Sequence, residues 1–196
     1  MGRGALEFKP YQFDPAGYIK RYLRWEPWRA EEGSGIDGAI GQADILDAYA
    51  LALRQLHERD DFEQGKIGEE ALTCWKPGEV IGNVLRIEAG HTVGKTKLAS
   101  GIVSHFHDCF RPSIVYFFAP SAPQIRDLLW KEVRADRQAA NLPGRLLETC
   151  ELRTENPLHF AVGRATNDAG GRGTERVHGQ HGRYLLFVVD EAEGVA

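Results

Sequence analysis

The stretch IEAGHTVGKTKLAS, residues 87–100, decides the fold predicted for this chain. It matches the pattern Gly-x-x-x-x-Gly-Lys-Ser/Thr of a loop that cradles phosphate, with Ala89 in the first glycine position and Gly94 in the second. The second position is the tighter constraint, because the backbone must turn there, whereas the first needs only a small side chain. The pattern therefore predicts a nucleotide-binding loop, the Walker A motif.

The residues on either side of this loop provide the context that such a site requires. Residues 83–90 are predicted to form a short strand, and residues 95–109 have the apolar spacing of a helix whose positive end would face the phosphates. Lys95 would reach the β- and γ-phosphates, and the Thr96 hydroxyl would be a ligand of Mg²⁺. The predicted nucleotide contacts are Gly90, His91, Thr92, Val93, Gly94, Lys95 and Thr96.

A second motif is the apolar strand YLLFVV, residues 184–189, which runs into Asp190 and Glu191. A carboxylate at the end of a buried parallel strand lies beside the phosphate loop, so Asp190 is predicted to help bind Mg²⁺ and Glu191 to polarise the attacking water. Adjacent carboxylates next to apolar residues are otherwise unfavourable, because like charges repel at a low-dielectric surface. The two motifs, Walker A and Walker B, together predict an ATPase that uses ATP and Mg²⁺.

The order of the predicted elements indicates the α/β class. Besides the elements above, they are a helix over 43–60, a strand over 113–120, a helix over 121–140 that begins with a Ser121/Gln124 capping box, and an edge strand over 158–165. Alternation of strand and helix is typical of a mostly parallel sheet flanked by helices. We predict a RecA-like P-loop NTPase fold over residues 41–196 and an irregular N-terminal arm or lid over residues 1–40.

Composition excludes several classes of protein. The 196 residues are 42% apolar and carry a net charge of −4, which suits a domain with a substantial core and gives no basic excess for binding nucleic acid by charge alone. The longest apolar runs are too short to span a bilayer, so we expect a cytoplasmic protein without membrane contact. Cys74, Cys109 and Cys150 are predicted to be reduced thiols, and the run His105–Cys109 is read as part of a helix rather than as a zinc site.

Three stretches resemble one known family: AGHTVGKT (89–96), YFFAPSAPQIRDLLWKEV (116–133) and GQHGRYLLFVVDEAEGV (179–195). They are similar to the ATPase domain of the large terminase subunit, the motor that packages DNA into the heads of tailed phages. The resemblance covers roughly residues 84–196. It implies an ATPase encoded by a phage or prophage and acting in the host cytoplasm. The implied partners are double-stranded DNA, a portal protein, a small terminase subunit and, in the full-length protein, further copies in a ring.

The resemblance also implies roles and departures at single positions. Gln42 matches a glutamine that reads the adenine edge in such motors. His91 stands where family members often have an arginine, so Arg86 or a residue of a neighbouring subunit would have to replace that charge. Family members continue past the acidic strand into further strands and a nuclease domain, so we expect a fold that is incomplete at its C-terminus, and the chain offers no candidate nuclease residues.

The glycine-rich loop over 163–183 is the candidate for contact with DNA or the portal. The basic residues predicted to make this contact are Arg164, Arg172, Arg176 and Arg183. Two alternatives to a packaging motor stay open. The first is a helicase-like P-loop ATPase, because Asp-Glu-Ala after an apolar strand also occurs in strand-separating motors. The second is a truncated nucleotide-binding module that hydrolyses nothing.

Overall fold

The computed structural model describes residues 7–30, 40–82, 84–88, 94–166 and 182–190. The helices are α1 (Pro15–Tyr18), α2 (Gln42–Glu63), α3 (Lys95–Cys109), α4 (Ala122–Gln124) and α5 (Trp130–Ala139), with π-helical turns at Ile19–Leu23 and Ile125–Leu129 and 3₁₀ turns at Lys9–Tyr11 and Glu69–Ala71. The strands are β1 (Ser113–Ala119), β2 (Arg145–Leu147), β3 (Glu151–Arg153), β4 (Phe160–Ala165) and β5 (Tyr184–Val189). The α/β class and the helices predicted from periodicity are confirmed.

The five strands form one mixed sheet in the order β2-β3-β4-β1-β5. Strands β4, β1 and β5 are parallel, and the short strands β2 and β3 add to β4 in antiparallel orientation. The prediction of a mostly parallel sheet is therefore correct only for the three strands β4, β1 and β5, and the sheet as a whole is mixed. The expectation that β4 lies at an edge is wrong, because the β2–β3 pair covers its outer side. Strand β5 instead lies at the edge of the described sheet.

The prediction of a strand over 83–90 is wrong for the described residues 84–88, which form no strand. Val84, Leu85 and Ile87 are 82%, 46% and 37% exposed, so neither side of the segment packs against the core. A strand needs a neighbour for its backbone hydrogen bonds. No described strand pairs with these residues, so the alternation of apolar side chains is not sufficient to form one.

The main core lies between the sheet and the helices on one of its faces. Val103 of α3 and Phe117 of β1 are fully buried in it, and Phe117 stacks on Trp130 of α5 with ring centroids 5.9 Å apart. Part of the segment predicted as an arm contributes to the same core, since Tyr18 and Ile19 are also fully buried. Burying side chains of this size stabilises a fold by about 1.5–3 kcal/mol each, so residues 7–30 contribute to the stability of the α/β unit.

A buried ion pair joins α3, α5 and α1. The Asp108 carboxylate accepts hydrogen bonds from both terminal nitrogens of Arg137, at 3.2 and 3.0 Å, and from the Tyr18 hydroxyl at 2.6 Å. Burial alone would raise the pKa of Asp108, but the Arg137 charge and a hydrogen bond from His107 overcome it and hold the pKa well below its usual range. The charge is therefore kept inside the protein by its partners.

The histidines considered above for a zinc site are structural. The Nε2 atom of His105 donates to the Tyr11 carbonyl at 2.8 Å, and its Nδ1 atom lies 3.4 Å from the Tyr49 hydroxyl. His107 stacks on His159 with ring centroids 4.1 Å apart. All three cysteines are free thiols, as predicted. In the parts of the chain that the structure describes, no group of three or more His, Cys, Asp or Glu residues suits a metal ion.

His105 is expected to make the fold sensitive to acid. Burial lowers its pKa to about 4, although the hydrogen bond to Tyr11 opposes this shift. The same group titrates at about 6.5 when unfolded, so the unfolded chain binds more protons between these values and stability is lost as the pH falls below about 6.5. Lowering the pH from about 7.5 to about 5 should reduce the free energy of unfolding by about 2 kcal/mol through His105 alone, as measured by urea unfolding.

The matched variants are His105→Gln and His57→Gln, the latter on the partly exposed part of α2. The pKa values of His107 and His159 are also lowered by burial, so they add acid sensitivity of the same sign in every variant. The difference in the pH dependence of the free energy of unfolding between His105→Gln and His57→Gln therefore reports the contribution of His105. Equal pH dependence in His105→Gln and wild type would show that His105 does not contribute.

Candidate functional site

Of the predicted phosphate loop the structure describes only the end, from Gly94, and the segment 84–88 before it forms no strand. Gly94 immediately precedes the helix with φ 82° and ψ 27°, in the left-handed region that favours glycine. Its carbonyl accepts the first helical hydrogen bond, from the Leu98 amide at 2.9 Å. Lys95 and Thr96 follow in the first turn, where backbone N–H groups have no partner within the helix and the helix dipole favours anions.

The direction of α3 puts this first turn at the carboxyl edge of the parallel strands. The helix ends at Cys109 and the chain enters β1 four residues later, so α3 packs antiparallel to β1. Its 15 residues span about 22 Å at about 1.5 Å each. The seven residues of β1 span about 23 Å at about 3.3 Å each. Because the two lengths are similar, the first turn of α3 is expected to lie near the end of β1.

Asp190 follows β5 at the same edge. Its amide donates to the Phe118 carbonyl at 2.9 Å, which continues the parallel ladder between β5 and β1 by one step. On the other side of β1, the Thr166 amide donates to the Ala119 carbonyl at 3.1 Å. The Thr166 hydroxyl oxygen is buried and has no hydrogen-bond partner among the described residues. This edge therefore presents polar side chains after two of its three parallel strands.

Gln42 contacts the phosphate-loop end directly. It begins α2, is 7% exposed, and its Nε2 atom donates to the Gly94 carbonyl at 3.3 Å. The structure thus brings together two of the predicted nucleotide contacts that are far apart in the sequence. Reading of an adenine edge by Gln42 stays a prediction.

Gly94→Ala is expected to destabilise the protein by about 1–2 kcal/mol, because an L-residue is strained at positive φ. The added Cβ would also lie 2.6 Å from the Gln42 Nε2 atom, so the Gln42 side chain must move and its hydrogen bond to Gly94 is lost. Urea unfolding measures the total cost. In a Gln42→Ala background the contact is absent, so Gly94→Ala should cost less there; an equal cost in both backgrounds would mean that strain alone acts.

Several predicted site residues lie outside the described residues. They are Ala89, Gly90, His91, Thr92, Val93, Arg172, Arg176 and Glu191. The two described arginines of the predicted basic patch are not brought together. Arg164 is paired in register with Phe118 near the carboxyl ends of the strands, whereas Arg183 precedes the amino end of β5. Arg164 lies 3.6 Å from Glu151, and Arg183 stacks over Tyr184.

Lys97 is a structural cation that the sequence did not single out. Its Nζ atom lies 2.5 Å from Asp136 and 3.1 Å from Glu132, both on α5, and 5.9 Å from the centre of the Trp25 ring. Partial burial lowers the pKa of Lys97, but hydrogen bonds to both carboxylates outweigh this and raise it. Lys97 holds the early turns of α3 against α5. The sequence hints at this role of Lys97 only by showing a charged residue within a helix that is otherwise suited to burial.

The Ser121/Gln124 capping box is confirmed in part, because the Gln124 amide donates to the Ser121 hydroxyl at 3.4 Å.

None of the helices formed by the described residues is both long and apolar enough to cross a bilayer. Comparisons of this chain with protein families, curated proteins and solved structures found no match.

Proposed function

We propose that this chain binds ATP with Mg²⁺ and hydrolyses it, as a P-loop NTPase. The proposal is supported by the order of the elements. Lys95 and Thr96 begin α3, which leads into β1, and Asp190 follows β5, which pairs with β1 in parallel. Ligands of α/β sheets bind outside the carboxyl ends of parallel strands, where Asp190 lies.

The residues present suit this ligand. The N–H groups in the first turn of α3 can donate to phosphate oxygens, and the Gln42 amide lies against the side of Gly94 that a Cβ would occupy. Lys95 supplies a cation for the phosphates. The Thr96 hydroxyl and the Asp190 carboxylate are oxygen ligands of the kind that Mg²⁺ prefers. Mg²⁺ keeps several waters and takes its remaining ligands from phosphate, so the single carboxylate of Asp190 is sufficient for binding it.

The proposed role of each group follows from its position. Bound Mg²⁺ supplies positive charge at the phosphate oxygens. Lys95 compensates the charge that grows there during phosphoryl transfer, and the fixed N–H groups of α3 do so without reorganising. Glu191 is proposed to orient the attacking water. Gln42, fixed against Gly94, is proposed to contact the adenine edge.

Separate assays of binding and turnover test this proposal. Wild-type protein should bind ATP in the presence of Mg²⁺ and release phosphate. Glu191→Gln should keep its affinity for ATP within about twofold while hydrolysis is lost, since it removes a group needed only for the chemical step. Glu193→Gln, which removes a carboxylate two residues later, is the matched control and should hydrolyse normally. Wild-type turnover by Glu191→Gln would make the assignment of the base wrong.

We further propose, from the resemblance in three stretches of sequence, that the ATPase is the motor domain of a terminase large subunit and drives viral DNA packaging. Hydrolysis stimulated by linear duplex DNA without strand separation would support this. Strand separation would support the helicase-like alternative, and ATP binding without turnover the non-hydrolysing module. Arg164→Gln and Arg183→Gln should be assayed singly, because the two residues lie at opposite ends of the strands.

A further inference from the structure

Trp28 is an exposed aromatic residue whose backbone lies against the beginning of α2. It is 45% exposed, whereas Trp75 and Trp130 are buried, and the Lys97 Nζ atom lies 5.9 Å from the centre of the Trp25 ring. A single exposed apolar side chain is common on protein surfaces, so its surroundings decide whether it has a function. For Trp28 these surroundings include the residues of α2 that contact the end of the predicted phosphate loop.

The backbone around Trp28 is fixed to α2. The Trp28 carbonyl accepts a hydrogen bond from the Ala43 amide at 3.0 Å, and Arg29 forms ion pairs with two carboxylates of α2. A Cβ added to Gly41 would lie 2.6 Å from the Trp28 carbonyl oxygen, so the two segments can approach this closely only because residue 41 is a glycine. A ring on a fixed backbone loses less conformational entropy when it contacts a ligand.

This fixed position is one residue away from the contact between α2 and Gly94. Gln42 donates to the Gly94 carbonyl at 3.3 Å, and the next residue, Ala43, donates to Trp28. The base of a nucleotide is joined to its phosphates through a ribose, so a base lies beside a phosphate loop and not within it. Trp28 therefore has a position that suits the base of a nucleotide whose phosphates bind at the beginning of α3.

The nearest carboxylates do not oppose the approach of a nucleotide to Trp28. Asp44 pairs with Arg29 and accepts a hydrogen bond from the Gly41 amide at 2.8 Å. Asp47 also pairs with Arg29, at 2.6 Å. An approaching polyanion therefore meets compensated charges at these two positions.

We propose that the Trp28 ring is the surface on which the base of the bound nucleotide stacks, while Gln42 contacts the edge of the base. Every base has a π-face, and stacking on an aromatic side chain strengthens binding by about 5- to 150-fold. This inference rests on the proposed ATPase site, which it extends from the phosphates to the base. It gives a binding function to a residue of the segment that the sequence predicted only as an arm or lid.

The test is isothermal titration calorimetry of the full chain with two ligands, Mg-ATP and Mg-tripolyphosphate, which has the phosphates without the ribose and base. Trp28→Ala should weaken binding of Mg-ATP by about tenfold or more and keep the affinity for Mg-tripolyphosphate within about twofold. Trp28→Phe keeps an aromatic ring and should bind Mg-ATP within about threefold of wild type. The matched control is Leu51→Ala, at a site of α2 that is 48% exposed, and it should change neither affinity.

Indole fluorescence reports the same contact in a way that a purely structural role of Trp28 would not change. Mg-ATP should quench the emission of the wild-type protein, because the base stacks on the Trp28 indole, whereas Mg-tripolyphosphate should not. Trp28→Phe should still bind Mg-ATP but lose this quenching, since Trp25, Trp75 and Trp130 are the remaining indoles.

Three results, each with Mg-ATP binding by wild type intact, would overturn the role of Trp28 and leave the proposed ATPase site standing. They are an unchanged affinity for Mg-ATP in Trp28→Ala, an equal loss of affinity for both ligands, and quenching that persists in Trp28→Phe. Wild-type protein that binds neither ligand would overturn the ATPase site and this inference with it. If Trp28→Ala lowers the unfolding midpoint, the quenching comparison with Trp28→Phe decides the question.

Discussion

Lys95→Ala is expected to lower kcat for ATP hydrolysis by about 10²–10³-fold, which corresponds to about 3–4 kcal/mol of lost transition-state stabilisation. The reason is the position of Lys95 in the first turn of α3, directly after the left-handed Gly94. A permanent cation there compensates charge on the transferring phosphoryl group, and alanine supplies none. Phosphate release at saturating ATP measures the effect.

Two controls make this result specific. Lys66→Ala removes a lysine that pairs with Asp61 at 2.9 Å after α2, and should leave kcat unchanged. The unfolding midpoint of Lys95→Ala should be recorded in parallel, so that loss of activity is not confused with loss of fold. A kcat within about threefold of wild type in folded Lys95→Ala would exclude Lys95 from catalysis.

Arg137→Met is expected to destabilise the fold by about 3–5 kcal/mol, because it leaves the Asp108 charge buried without its main partner. Both side chains are 1% exposed or less, and they are joined by two hydrogen bonds. For a chain of this size the unfolding temperature should fall by about 10 °C. Urea unfolding near neutral pH and calorimetry measure the two quantities.

The control for this substitution is Arg111→Met, which makes the same chemical change 3.9 Å from the same carboxylate at a half-exposed site. It should cost less than about 1 kcal/mol. In the double variant Asp108→Asn/Arg137→Met the buried charge is gone, while the amide oxygen can still accept from Tyr18. Its cost should be at least about 2 kcal/mol below the sum of the single costs. Additive costs would mean that the two groups do not stabilise each other.

Elements that depend on local periodicity could be predicted from the sequence. The helix α3 follows from the helical spacing of its apolar residues, β1 from a continuous apolar run, and the Ser121 cap from a side chain three residues before its donor. The candidate site shares this property. Lys95 and Asp190 each stand at a terminus of such an element, α3 and β5, and their common role at a nucleotide site stays a prediction.

Elements that depend on a distant partner could not be predicted in the same way. β2 and β3 have three residues each, too few to show an alternation, yet their pairing makes β4 an inner strand. Residues 84–88 show the opposite case, with apolar alternation but no described neighbour. The Asp108–Arg137 pair joins residues 29 positions apart, and nothing local in the sequence indicates which charges will be buried together.

Two adjacent residues of α5 hold α3 at points far apart along its axis. Asp136 binds Lys97 and Ser100, whereas Arg137 binds Asp108, eleven residues after Lys97 and about 16 Å further along the helix. A helix supported at two points resists tilting as well as sliding. Because both contacts are made to α5, we expect a displacement of the beginning of α3 to be passed on to α5.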